Sequence, residues 1–279
     1  MGGVRDPREG VADDGSIRTG ADRSRVPAVY EPVVEALVAS FAELRAAEAL
    51  LEEPSSLLLY GSVATGQAVP PRSDVDAVLL GASAGAAAAL ADELSRRFTG
   101  LCREVAVGAS RVSDHEGDDD EGYGNRVFLR HYCVVLAGDD VAAGWPPFPA
   151  DGRAARGFNG DIAQHLERWR VTSRARPQLH PARAAVLGRS LARKTLLETA
   201  GLVSTHDGTW TTDRATAARR WGQFDPAAAD GLRELLAWAQ GADAASVSDV
   251  HRVLGDGGTA QRVADAFRDL IGLWRVSWA

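Results

Sequence analysis

Hydrophobic positions in this chain follow two periods, one in each half. Val33, Val34, Leu37, Val38, Phe41 and Leu44 recur at three- and four-residue steps, which predicts a helix over about 27–53, ended by Pro54. Apolar runs of strand length follow: Leu57 to Tyr60, Val78 to Leu80, Leu101 to Val107, and Arg126 to Leu136, closed by Gly138-Asp139-Asp140. The Ala-rich stretch Ala86 to Phe98, with Gly100 behind it, interrupts them as a helix. Strand, short turn, strand, helix, strand is the order of a sheet with helices packed on it. Trp145-Pro146-Pro147-Phe148-Pro149 breaks regular structure and marks a domain boundary. Beyond it the period is helical throughout. Helices are expected over 161–172, 181–200, from Thr212 or Asp213 to about Trp221, and over 226–240, 247–254 and 259–274. Pro181 fits a first turn and Gly201 a C′ position. The expected architecture is an N-terminal α+β or α/β domain with a mixed sheet over 27–149, then a C-terminal α-helical bundle over 150–279. Residues 1–26, rich in Gly, Asp and Arg and poor in apolar side chains, read as a disordered tail.

The chain has 279 residues, enough for two ordinary domains, and 45% hydrophobic with 25% charged residues is a globular composition. A formal net charge of −7 argues against a general nucleic-acid binder and suits a cationic small acceptor better. There is no apolar run of membrane-spanning length and no secretory leader pattern, so no membrane partner and a cytoplasmic location are expected. Cys102 and Cys133 sit in apolar runs outside any Cys-x-x-Cys pair and read as buried free thiols. Trp169, Trp238 and Trp274 read as core anchors. Oligomeric state is left open.

The chemistry concentrates between Ser56 and Leu80. An apolar strand stops at Gly61-Ser62; after a Pro-Pro-Arg turn, Ser73-Asp74-Val75-Asp76 enters a second apolar run. Carboxylates two apart on a strand share a face. Two acids beside apolar residues are costly without positive charge, and a divalent cation such as Mg²⁺ supplies it through oxygen ligands. A Gly-Ser turn that opens a helix offers backbone N–H groups and a hydroxyl to phosphate. Metal and phosphate together suggest phosphoryl or nucleotidyl transfer; a solvated Asp pair is the plainer alternative. Glu104, near the start of a following strand, is either an exposed edge acid or a third carboxylate of the same site. The acidic run 114–121 lacks calcium-loop spacing and reads as a solvated loop, or as a lid that attracts a cationic acceptor. Lys194 is the only lysine of the chain and follows Arg189 and Arg193, which share a helix face; the alternatives are a solvated basic face and a phosphate contact.

Gly61-Ser62, a spacer, and Asp74-Val75-Asp76 between apolar residues resemble the signature of the nucleotidyltransferase superfamily that includes DNA polymerase β. Streptomycin/spectinomycin-type adenylyltransferases are the closer likeness. Glu104-Val105 resembles their Glu-Val pair, which helps hold the metal and acts as base. Leu191-Ala192-Arg193, with Ala200-Gly201 further on, resembles the helix whose Arg reaches the ATP phosphates. The resemblance implies Mg²⁺ at Asp74, Asp76 and Glu104, ATP as co-substrate held by Gly61, Ser62, Ser73, Arg193 and Lys194, and transfer of AMP to a hydroxyl of a small molecule, with antibiotics among the candidates, in a cleft between domains. It implies an N-terminal nucleotidyltransferase domain and a helical second domain. The chain departs from those enzymes at Ser204-Thr205-His206, where they carry a Lys, and at His180-Pro181-Ala182-Arg183, where they carry acids. The acceptor therefore stays open. Alternative readings are a protein- or RNA-modifying nucleotidyltransferase of a toxin–antitoxin type and a non-catalytic nucleotide-binding module on the same fold.

Overall fold

A computed structural model describes residues 8 to 47, 50, 54 to 175 and 180 to 274. The described part of the stretch expected to be a tail is ordered. Strands β1 (Glu9–Val11) and β2 (Ile17–Thr19) form a two-stranded sheet, and a 3₁₀ turn follows at Arg23–Arg25. Composition misleads here because the segment docks through polar bonds. The buried Glu9 carboxylate accepts from the hydroxyls of Thr211 at 3.0 Å and Thr212 at 2.7 Å, and from the Thr212 N–H. Residues 1 to 7 lie outside the described part.

The chain divides into two compact units. One is Thr19–Phe148; the other joins the described residues up to Arg18 to those from Pro149 onward. In the first, α1 (Glu31–Ala46) starts with Pro32 in its first turn and ends before the 53 expected, residues 48, 49 and 51 to 53 being outside the described part. Then come β3 (Ser56–Tyr60), the single-turn α2 (Gly61–Ala64), β4 (Val75–Leu80), α3 (Ala84–Arg97) and β5 (Val105–Ser110). Next are α4 (Asp120–Tyr132) and β6 (Val134–Gly138). The sheet is mixed, in the order β5-β4-β3-β6, with β3 antiparallel to both neighbours and β4 parallel to β5. Val75, Ala77 and Leu79 of β4 face a core shared with Leu37 of α1 and Leu94 of α3. Leu58 and Val78 face the other way, against Leu129 of α4.

Two strand assignments need correction. Arg126 to Leu136 is not one strand: it is the end of α4, the extended residue Cys133 and the start of β6. The acidic run upstream sets this helix. The Asp119 carboxylate caps it by accepting from Gly122 N–H at 2.8 Å, Asp120 and Glu121 lie in its first turn, and Arg130 and His131 lie in its last, all in the sense the helix dipole favours. Much of the supposed acidic loop is therefore the 3₁₀ turn Val112–His115 and the mouth of α4. The strand expected over Leu101 to Val107 begins only at Val105, because Leu101 and Cys102 turn back by bonding Phe98 O.

The second unit is helical: α5 (Gly152–Asn159), α6 (Ile162–Ala175), α7 (Pro181–Asp207), α8 (Arg214–Phe224), α9 (Ala229–Gln240), α10 (Val247–Leu254) and α11 (Thr259–Leu270). Leu191, Leu196, Trp221, Trp238 and Phe267 are among its buried core residues. Helix α7 runs through Gly201 and stops at Gly208, whose φ of 71° is the left-handed conformation a C′ glycine provides. Gly201 serves packing instead: a Cβ there would lie 3.1 Å from the Phe267 ring. Both cysteines are free, Cys102 buried and Cys133 half-buried. Among the described residues no helix is long and apolar enough to cross a membrane.

Glu9→Ala strands the donors of Thr211 and Thr212. It should cost about 2–3 kcal/mol in urea denaturation, whereas a segment lying free of the fold would give no change.

Candidate functional site

β3 delivers its last residue, Tyr60, opposite Asp76 of β4, and the chain then turns at Gly61. Gly61 has a φ of 73°, a conformation costly for residues with a side chain. It also has no room for one: a Cβ there would sit 2.5 Å from Asp76 Oδ2. The glycine corner and the Asp76 carboxylate are thus in direct contact, with half-buried Ser62 next in the single turn of α2. Burial, then the Asp76 charge, then Cys133, pushes the Tyr60 hydroxyl up to about 12, so it stays protonated beside the acid.

Asp74 and Asp76 alternate with Val75 and Ala77, which enter the core, so both acids belong to the opposite sheet face. Glu104 joins them by register. Val75 pairs with Val105 on the parallel β5, and Val75 N–H donates to Glu104 O at 3.0 Å. Glu104 is therefore level with Asp74, on the acid face and exposed, while Val105 turns to the core. Ser73 sits in the turn before β4. Its hydroxyl accepts from Val69 N–H at 2.9 Å and its carbonyl accepts from Arg103 N–H at 3.1 Å. Asp74 Oδ2 is paired with the Arg103 guanidinium, and Asp74 Oδ1 is buried with no hydrogen-bond partner.

Among the described residues no three His, Cys, Asp or Glu side chains converge into a ready-made metal cage. Asp74 and Asp76 nevertheless fit a divalent cation as oxygen donors. Asp74 Oδ1 is an orphaned acceptor, and the exposed Glu104 side chain stands one strand away.

Arg193 and Lys194 lie together on α7 in the helical unit. The Lys194 ammonium donates to Asp161 Oδ1 at 2.6 Å and to Phe158 O at 3.3 Å, and Asp161 Oδ2 is 2.9 Å from His165 Nε2. Arg193 Nε is buried without a partner. One turn beyond Lys194, Glu198 is fully buried with neither carboxylate oxygen hydrogen-bonded. Desolvation holds it well above its ordinary value near 4.5; Lys194 opposes this, while Asp161 and Asp265 reinforce it. Lys194 is therefore engaged inside the helical unit by Asp161.

Three participants escaped sequence reasoning. Arg103 directly precedes Glu104, and its charge beside a candidate acid was the available signal. Tyr60 is visible only through the antiparallel pairing. Glu198 carries no local signal, because a Glu one turn after a Lys on a helix ordinarily reads as a surface pair.

No known family model matches the chain, and no curated protein matches it.

Gly61→Ala should lose about 1–3 kcal/mol in urea denaturation and displace the Asp76 side chain; Gly144→Ala, where a Cβ meets nothing within 4 Å, should be near neutral. For Glu198 the folded state retains a proton that the unfolded chain releases above about pH 4.5. Wild-type stability thus falls as pH rises from there toward the raised folded value. Denaturation of Glu198→Gln alongside wild type should show the variant gaining on it with rising pH, by up to about 1.4 kcal/mol per pH unit. A pH-independent difference would show that Glu198 ionises normally.

Proposed function

We propose that this chain is a Mg²⁺-dependent nucleotidyltransferase that moves a nucleoside monophosphate, AMP from ATP, onto a hydroxyl of a small-molecule acceptor and releases pyrophosphate. The supporting observation is the register that sets Glu104, just before β5, level with Asp74, just before β4, at the end of one sheet where a positive-φ glycine turn contacts Asp76. Together with Gly61-Ser62 and Asp74-Val75-Asp76 in the sequence, this resembles the nucleotidyltransferase superfamily.

In this reading Asp74 and Asp76, with Glu104, hold the cation. Bound there, Mg²⁺ supplies positive charge that polarises the phosphoryl group and screens the leaving pyrophosphate. The Ser62 hydroxyl and the Gly61-Ser62 backbone orient the triphosphate. Glu104, exposed and unencumbered by the core, takes the acceptor's hydroxyl proton. The acceptor oxygen then forms a bond to the α-phosphorus, and the bond from that phosphorus to the bridging oxygen breaks. Lys194 is held by Asp161 within the helical unit, and this step draws on residues of the sheet unit alone.

A second reading, a non-catalytic nucleotide-binding module, draws on the Arg103–Asp74 ion pair, which neutralises an acid without a metal. Pyrophosphate release separates the two. With ATP, Mg²⁺ and a panel of hydroxylated antibiotics and metabolites, wild type should release pyrophosphate with at least one acceptor. Asp76→Ala should abolish release while keeping the melting temperature. Glu104→Gln should slow single-turnover chemistry about 10²- to 10⁴-fold and leave ATP binding unchanged. No release across the panel, or near-normal turnover in Asp76→Ala, overturns the proposal.

A further inference from the structure

Arg103 brings a positive charge to the acid face, and that charge runs against a metal site. Its guanidinium pairs with Asp74 Oδ2, while the Asp74 side chain is only 14% exposed. Its own side chain is 42% exposed, so it can leave the pair into water at small cost. Its backbone is fixed, since Arg103 N–H donates to Ser73 O at 3.1 Å across the start of the parallel pairing. A tethered monovalent group satisfies one carboxylate oxygen and leaves Asp74 Oδ1 buried without a partner. A divalent cation takes six or more oxygens and can use several acids at once. The two cations compete for the same carboxylate.

We infer that Arg103 is a resident counter-ion of Asp74 that a divalent cation must displace, so that Arg103 sets the affinity of the site for metal. The inference rests on the metal site proposed above. Arg103 keeps Asp74 from standing uncompensated on the sheet when no metal is bound. It also raises the metal concentration at which the site fills. Once displaced, the guanidinium remains anchored one residue from Glu104, where its donor fork faces anionic groups of an incoming ligand.

Mn²⁺ binding to the full chain, without nucleotide, tests this by isothermal titration or by the loss of the free-ion resonance signal. Wild type, Arg103→Gln, Arg103→Lys and Asp76→Asn are compared, each with its thermal melt. Arg103→Gln should bind Mn²⁺ about 3- to 30-fold more tightly, Arg103→Lys close to wild type, and Asp76→Asn much more weakly. Arg103→Gln binding equal to or weaker than wild type, with Asp76→Asn impaired, overturns the role of Arg103 and leaves the metal site standing. No Mn²⁺ binding by any variant removes the metal site and this inference together. A merely structural arginine would lower the melting temperature on substitution without tightening metal binding.

Discussion

The acid face depends on the absence of one carbon atom. At Gly61 the chain leaves β3 with positive φ and passes so close to Asp76 that no Cβ fits between them. The antiparallel pairing of β3 with β4 puts Tyr60 and Asp76 side by side, and the parallel pairing of β4 with β5 brings Glu104 level with Asp74. Three short segments distant in sequence thus end at one level. Their neighbours Leu59, Val75, Ala77 and Val105 are buried on the other face, and a one-residue slip would turn the acids into that core. Burial of the aliphatic side chains is therefore what holds the carboxylates in place.

Among the described residues, Asp74 and Glu198 have buried carboxylate oxygens without hydrogen-bond partners, and their surroundings resolve the cost differently. Asp74 keeps a partly exposed arginine on its other oxygen, so its charge is met by a group that water can take back. Glu198 has no solvent at all, and its one close cation is shared with Asp161. There the cheaper solution is to keep the proton. One acid is met by a counter-charge at the surface, the other by a retained proton in the interior.

Much of the order of elements was legible from apolar runs and their periods. β3, the end of β4, α3 and α10 follow from patterns that a single segment contains. Other features are decided between segments. Arg126 to Leu136 is apolar enough for a strand, and the helix wins because Asp119 and the acids after it supply a cap and a favourable dipole. Gly201 resembles a helix end until the ring of Phe267 shows why a small residue is needed within the helix. Composition marked 8 to 26 as unstructured because its anchoring uses hydrogen bonds to threonines more than two hundred residues away. At the acid face, Gly61 and the Asp pair stand out in the sequence. The level of Glu104 and the pairing of Arg103 depend on the register of two strands, which a lone sequence does not encode locally.

The division of the chain at Arg18 and Pro149 has a consequence for biosynthesis. The sheet unit is one uninterrupted stretch and has all its strands once Gly138 has left the ribosome. The helical unit is split around it. Glu9 emerges early yet finds its threonines only after Thr211 and Thr212 are made. The first-made strand pair therefore waits through translation of the whole sheet unit, and the helices close on a piece of chain older than the sheet itself.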